Sequence, residues 1–238
     1  MARVDYDKQS KDYDRGRTLP DETLATWMVA ARRHTGPAHR VLDLGAGTGR
    51  FTAALAAAFD AEVVAIEPSK GMRDHAASKD LRLVGGRAEA LPLQDGTIDV
   101  AWLSNVIHHF DDLARAASEL RRTVNGTVLI RGAFGDTDVP SLFRFFPASR
   151  DVVRSFPQSG ATIEIFQAAG FSSFYKERVT EVVANNLAEM VPKVALRADT
   201  ALELISDDEF AAGLAQLEQA AATETDPVTV PVDLLVIN

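Results

Sequence analysis

The chain has 238 residues, 46% of them hydrophobic, ample for one α/β domain with a small elaboration and tight for two independent cores. It contains no cysteine, which excludes disulfides, a thiolate nucleophile and a thiolate-held metal. Its 34 acidic against 25 basic side chains give a formal charge of −9, which argues against a groove for nucleic-acid phosphates and points to a small-molecule substrate. Apolar runs are strand-sized and the stretch after Met1 lacks a hydrophobic signal core, so the expectation is a soluble, cytoplasmic protein with no membrane partner.

In chain order, residues 4–17 are polar with two isolated tyrosines, a pattern of a frayed tail or of a segment that orders over a site. Asp21 to Arg33 carries Leu24, Trp27, Met28 and Ala31 at helical spacing. Arg40 to Leu44 reads as a short buried parallel strand. Gly45, Gly47 and Gly49 follow it at every second position, and then an Ala- and Leu-rich helix from Phe51 to Phe59. A second strand, Glu62 to Ile66, runs into Glu67, and Ser69 can cap the next helix. Leu81 to Val84 is expected as the third strand and Thr97 to Leu103 as the fourth. A helix over Asp111 to Arg122 and a strand over Gly126 to Gly132 complete five strand–helix units, hence a doubly wound α/β sheet.

Beyond Phe134 the alternation breaks. Phe143, Phe145, Phe146 and Phe156 crowd into Pro140 to Phe156 and suit either a substrate wall or ordinary core. Ile163 to Ala169 predicts a helix closed by Gly170, followed by a strand over Phe171 to Val179. Asn185 to Ala222 is mostly helical, with a capping box at Ser206-Asp-Asp-Glu209, and Val228 to Ile237 is a strand despite Pro231.

The glycines alone are compatible with any tight strand-to-helix turn. Glu67, 18 positions after Gly49, adds the acid that in a βαβ unit sits beside the first loop and accepts hydrogen bonds from ribose hydroxyls. A dinucleotide fingerprint would need glycine where Arg50 stands, and Asp43 would repel a pyrophosphate while welcoming a cation. With Val41-Leu-Asp-Leu-Gly-Ala-Gly-Thr-Gly49 the sequence resembles the class I S-adenosylmethionine-dependent methyltransferases, of the small-molecule type related to ubiquinone and menaquinone methyltransferases. The resemblance covers residues 40–134 well and the termini loosely.

It implies a Rossmann-like, seven-stranded sheet with an antiparallel last strand and a helical lid. The single domain divides into 1–39 (N-terminal lid and helices), 40–134 (cofactor core), 135–225 (substrate-side insertions and strand six) and 226–238 (last strand). The cofactor it implies is S-adenosyl-L-methionine. Asp43, Gly45, Ala46, Gly47 and Gly49 would wrap its amino-acid end and Glu67 its ribose, with Pro68 and Met72 next in line. Arg87, Ala88 and Glu89 would meet the adenine, and Leu103 and Ser104 lie at the end of strand four. Tyr13 and Arg17, in a Tyr-Asp-x-x-Arg element, would close the site.

His108 and His109 follow strand four, whose carboxyl end faces the same crevice. They are candidates for deprotonating or orienting the acceptor, or else cap and pack the following helix. Adjacent on a helix, they point about 100° apart and cannot chelate one ion together, and no metal spacing occurs elsewhere. The expected reaction is transfer of a methyl group to an oxygen, nitrogen or carbon of a small molecule such as a secondary metabolite or quinone-like acceptor. Two alternatives keep the same pocket: a non-methylating reaction such as cyclisation, or a non-catalytic accessory subunit. The sequence leaves the oligomeric state open.

Overall fold

The computed structural model describes residues 13–238. Six strands form one sheet in the order β2-β1-β3-β4-β6-β5: β1 (Arg40–Leu44), β2 (Glu62–Ile66), β3 (Ile98–Ser104), β4 (Val124–Gly132), β5 (Phe174–Ala184) and β6 (Val228–Ile237). β1 to β4 pair in parallel, whereas β6 is antiparallel to both β4 and β5. The last strand thus inserts between two others, as expected for a Rossmann-like methyltransferase sheet.

Alternation along the strands explains why both faces are covered. Leu42 and Leu44 of β1, Ala101 and Leu103 of β3, and Leu235 and Ile237 of β6 turn to one face. There they meet the helices Leu113–Thr123 and Ser159–Ala168. Val41, Val100, Trp102, Leu129, Leu234 and Val236 turn to the other, against Asp21–Arg33 and Thr52–Phe59. At the centre of that second face Trp27 and Trp102 meet edge to face, with ring centroids 6.2 Å apart.

The seventh strand is a correction. Leu81 to Val84 does not form one: only Val84 pairs, through a single parallel bridge to Ile66 beside β2. The run is short and opens into Gly85-Gly86, Val84 is 45% exposed, and Leu81 turns its side chain against Gly49 rather than onto the sheet. Too little apolar surface is available there to hold an edge.

β5 and β6 extend past the carboxyl edge of the parallel strands. Pairing of β4 with β6 stops at Gly132 and Asp233, while β5 and β6 continue to Ala184 and Val228. Pro231 lies in this overhang, where β5 alone flanks it, a place that tolerates a missing N–H. Five helices gather on the overhang: Pro140–Phe145, Ser149–Arg154, Leu187–Ala195, Thr200–Glu203 and Asp207–Ala221. Phe145 and Phe146 fill the interior of this cap, and Phe143 and Phe156 a smaller cluster beside it. The capping box is present at Ser206 and Glu209, Ser69 accepts from the Met72 N–H at 3.1 Å, and Gly170 follows its helix with φ +100°.

Of the N-terminal segment expected to close the site, residues 4–12 lie outside the described residues. Residues 13–17 are helical and tied down. Asp14 accepts from Lys79 Nζ at 2.6 Å, lies 2.8 Å from His75 Nε2 and receives the Thr48 hydroxyl, while Arg17 pairs with Asp199 of the cap.

Candidate active site

Two cavities meet over the carboxyl ends of β1, β2 and β3, where an open α/β sheet holds its ligands. The outer cleft, about 450 Å³, begins at the glycine turn. Gly45 and Gly47 have φ of +70° and +60°, a conformation that side chains resist. A Cβ on Gly45 would also fall 2.3 Å from the Val106 side chain. Glu67 closes the turn from β2: its Oε2 accepts from the Gly47 N–H at 2.9 Å and its Oε1 from the Ser69 N–H at 2.8 Å. A carboxylate only 7% exposed is thereby held at the rim of the cleft.

Of the residues expected at the cofactor, Tyr13, Gly45, Gly47, Glu67, Pro68 and Met72 line this cleft. Arg87, Ala88, Glu89 and Ser104 line it as well, with both His108 and His109. Asp43, Ala46, Gly49 and Leu103 are not among the lining residues, and Arg17 faces the inner cavity instead. Asp43 sits beneath the loop, 2% exposed, accepting from the Thr52 hydroxyl at 2.7 Å. Burial, reinforced by the Glu67 charge and opposed by that hydrogen bond, raises its pKa to about 7.

The inner chamber, about 190 Å³, is walled by apolar side chains of the cap and of the β5–β6 overhang, among them Leu142, Val153, Met190 and Val230. It shares Tyr13, Asn105, His108, Phe156 and Thr200 with the outer cleft. His108 stacks on Phe156, rings 11° from parallel with centroids 4.1 Å apart, and lies 4.0 Å from His109. Removal from water, and next the neighbouring His109 and Arg17 charges, hold its imidazole well below the ordinary histidine pKa. It is therefore neutral at pH 7.

Arg131, 2% exposed, forms the floor. It donates from Nη1 to Ser104 Oγ at 3.0 Å, pairs with Glu181, and carries the rings of Trp27 at 4.7 Å and Phe51 at 5.4 Å. Burial, the largest single influence, pushes the Glu181 carboxyl up, but the Arg131 charge together with the hydrogen bonds from Arg131 and Trp27 outweighs it and the pKa falls below its usual value. With its amide turned to satisfy both donors, Asn105 accepts from Arg131 Nη1 at 2.9 Å and Arg17 Nη2 at 3.1 Å. Sequence reasoning missed Asn105, Arg131, Glu181 and Thr200. The one visible signal was a charge inside the apolar run Val128-Leu-Ile-Arg-Gly132.

The same assignment follows from comparison with known proteins. A family model described as a methyltransferase domain matches residues 42–130. Demethylmenaquinone methyltransferase of Corynebacterium kroppenstedtii is 32% identical over 171 residues, covering 67% of this chain and 74% of that protein. The chain belongs to the class I S-adenosylmethionine-dependent methyltransferases. Another relative of this methyltransferase, malonyl-[acyl-carrier protein] O-methyltransferase of Methylococcus capsulatus, is 40% identical over 147 residues, 58% of this chain. That match spans about half of the relative's length, 53%. A solved structure from an antibiotic biosynthesis pathway of Anabaena variabilis superposes with a TM-score of 0.72, covering 94% of this chain and 99% of that one at 21% identity, a likeness of fold.

The family's cofactor is S-adenosylmethionine, and the methyltransferase cleft fits it. A cradle that a Cβ would fill lies beside a fixed carboxylate for a diol, and Met72 and Ala88 offer apolar surface for a flat base. Among the described residues no cluster of three or more His, Asp or Glu could hold a metal, and no helix is long and apolar enough to cross a membrane.

Proposed function

We propose that this protein transfers a methyl group from S-adenosylmethionine to an oxygen, nitrogen or carbon of a small molecule, with the cofactor in the outer cleft and the acceptor in the inner chamber. The observation that carries this reading is the wall common to both cavities, Tyr13, Asn105, His108, Phe156 and Thr200, because methyl transfer needs donor and acceptor in direct contact. When bound, S-adenosylmethionine supplies a methyl group already activated by its sulfonium.

The protein's part is alignment and exclusion of water, worth up to roughly 7–11 kcal/mol when the reacting atoms are held in line. Glu67 holds the ribose, the Gly45–Gly47 backbone takes the amino-acid end, and Arg87 to Glu89 flank the base. Asp43 supports the loop from below rather than by contact. His108, kept neutral by burial, orients the acceptor or takes its proton, and His109 stays on the cofactor side. Tyr13 and Thr200 border both compartments, and residues 13–17 with the cap are the segments proposed to move as substrate enters. The acceptor is a small molecule and nucleic acid is not a partner, as the net charge of −9 supports, and the site of action is the cytoplasm.

Incubation with methyl-labelled S-adenosylmethionine and fractionated metabolite extracts tests the assignment. Label in a small organic product is expected. Tight cofactor binding with no transfer to any fraction would overturn it.

A further inference from the structure

The protein as a whole is acidic, with a formal charge of −9, yet the inner chamber is not. Its charged lining residues are Arg17, Arg50, Arg131 and Lys193 against Glu181 and Asp199, four positive and two negative. Asp199 is committed to Arg17, and Glu181 to Arg131 and the Trp27 indole N–H, which it accepts at 2.7 Å. Lys193 spends its ammonium on the Val183 and Thr18 carbonyls, at 2.8 and 3.2 Å. Arg50 donates to the Arg17 carbonyl, and among the described residues no carboxylate forms an ion pair with it. Three guanidiniums thus crowd one floor with a single carboxylate between Arg50 and Arg131.

Three side chains that line this chamber each carry a buried polar atom with no hydrogen-bond partner among the described residues: Arg131 Nε, His108 Nε2 and Ser141 Oγ. Two of them, the guanidinium N–H and the hydroxyl, can donate, and the imidazole nitrogen accepts or donates by tautomer. They come from β4, the turn after β3 and the start of the cap, so no local turn geometry accounts for all three. Orphaned buried polar atoms are uncommon and ask for a missing partner. The rest of the lining is apolar, and a volume of about 190 Å³ admits little more than a substituted ring.

Resting on the methyl-transfer reading above, we infer that the acceptor is an organic acid: a compact apolar body of about one ring, bearing an acidic oxygen that the Arg131 floor, Ser141 and His108 recognise. A carboxylate or an ionised phenol satisfies the excess positive charge and the orphaned donors together. An amine of the same shape adds a cation to three others, and a neutral amide leaves the charge unanswered.

The same floor could instead serve the cofactor's own carboxylate, and the test separates the two sources. The protein is saturated with S-adenosylhomocysteine, so that the cofactor's carboxylate is already in place, and titrated calorimetrically with phenylacetate and 4-ethylphenol, with phenylacetamide, and with phenethylamine. The acids are expected to bind at least tenfold more tightly than the amide and the amine, with the phenol gaining affinity as pH rises towards its own ionisation. Ser141→Ala should weaken the acids severalfold. The charge-balanced double variant Arg131→Met, Glu181→Met should abolish the preference for acids, with circular dichroism and thermal melting confirming the fold. Equal binding of all classes, or binding of none beside the bound cofactor product, overturns the inference. So does loss of affinity for decarboxylated S-adenosylmethionine coupled to absence of acid binding, which assigns the floor to the cofactor. Failure to bind S-adenosylhomocysteine at all would instead strike the methyltransferase reading.

Discussion

Replacing Glu67 by alanine perturbs two things at once, and their sizes differ. In the folded chain the carboxylate receives the Gly47 N–H at 2.9 Å and the Ser69 N–H at 2.8 Å, tying the glycine turn to the start of the next helix. Hydrogen bonds to a charged group contribute about 1.5–3 kcal/mol each. In the variant, water from the adjoining cleft can replace the lost acceptor, and desolvation of a carboxylate only 7% exposed is relieved, so a net loss of stability of about 1–3 kcal/mol is expected. Cofactor binding should suffer more. Two charge-assisted hydrogen bonds to a ribose diol sum to about 3–6 kcal/mol, or roughly two to four decades in affinity. Glu67→Gln sharpens the comparison, because its side-chain NH₂ must face one of the two backbone N–H groups and unseats the turn while preserving bulk. Calorimetric titration with S-adenosylhomocysteine, beside thermal denaturation of the free protein, reads both effects. An alanine variant that binds within twofold of the parent would remove Glu67 from the cofactor site and refute the argument.

Asp43 predicts a pH dependence of stability. Its folded pKa, raised to about 7 from the model-peptide value of 3.8, means that its contribution is fully present below about pH 4 and lost as pH rises through 7. The loss is about 4 kcal/mol at most, so urea denaturation of Asp43→Asn, which still accepts from Thr52, should show a flatter profile between pH 4 and 7; identical profiles would refute it. His108→Gln should retain S-adenosylhomocysteine binding while turnover falls about 10²–10⁴-fold. Because burial holds the imidazole below its ordinary pKa, any acidic limb in the parent's rate profile should lie below pH 6.5, and unchanged turnover and profile would leave alignment as the whole mechanism. Ser206→Ala removes the capping-box hydroxyl at the start of Asp207–Ala221 and should cost about 1 kcal/mol in chemical denaturation without touching cofactor affinity.

The geometry of the cleft proposed for the cofactor was legible because it is local. One strand, one turn, one helix and the next strand's end supply Gly45, Gly47 and Glu67 within 23 consecutive residues, 45–67, and hydrophobic alternation with glycine spacing encodes them directly. Strand three misled for the opposite reason. Leu81 to Val84 has strand-like residues, but among the described residues no element pairs with or covers that edge, and local propensity without burial yields one bridge. The chamber proposed for the acceptor was less legible: Tyr13 and Phe156 stand out in the sequence, but Asn105 after β3 and Thr200 in the cap join them on one wall only through the fold. The Phe143 to Phe156 ring cluster divides between the two roles proposed for it, since most of the rings fill core and Phe156 alone reaches both cavities.

The buried Arg131 joins these two levels. A charge inside a strand is normally expensive, and its pairing with Glu181 offsets that cost only in part, since buried ion pairs often do little better than apolar replacements. What makes the position tolerable is the second face of the sheet, where Trp27 and Phe51 place their rings over the guanidinium in place of water. Trp27 adds an N–H to Glu181 at 2.7 Å. The helices that read in the sequence as mere core thus support the cation from below, while its Nε and the orphaned Ser141 hydroxyl at the chamber above retain unused hydrogen-bonding capacity. An arrangement that served stability alone would have consumed those donors. One that must receive an acidic ligand keeps them unpartnered until the ligand arrives.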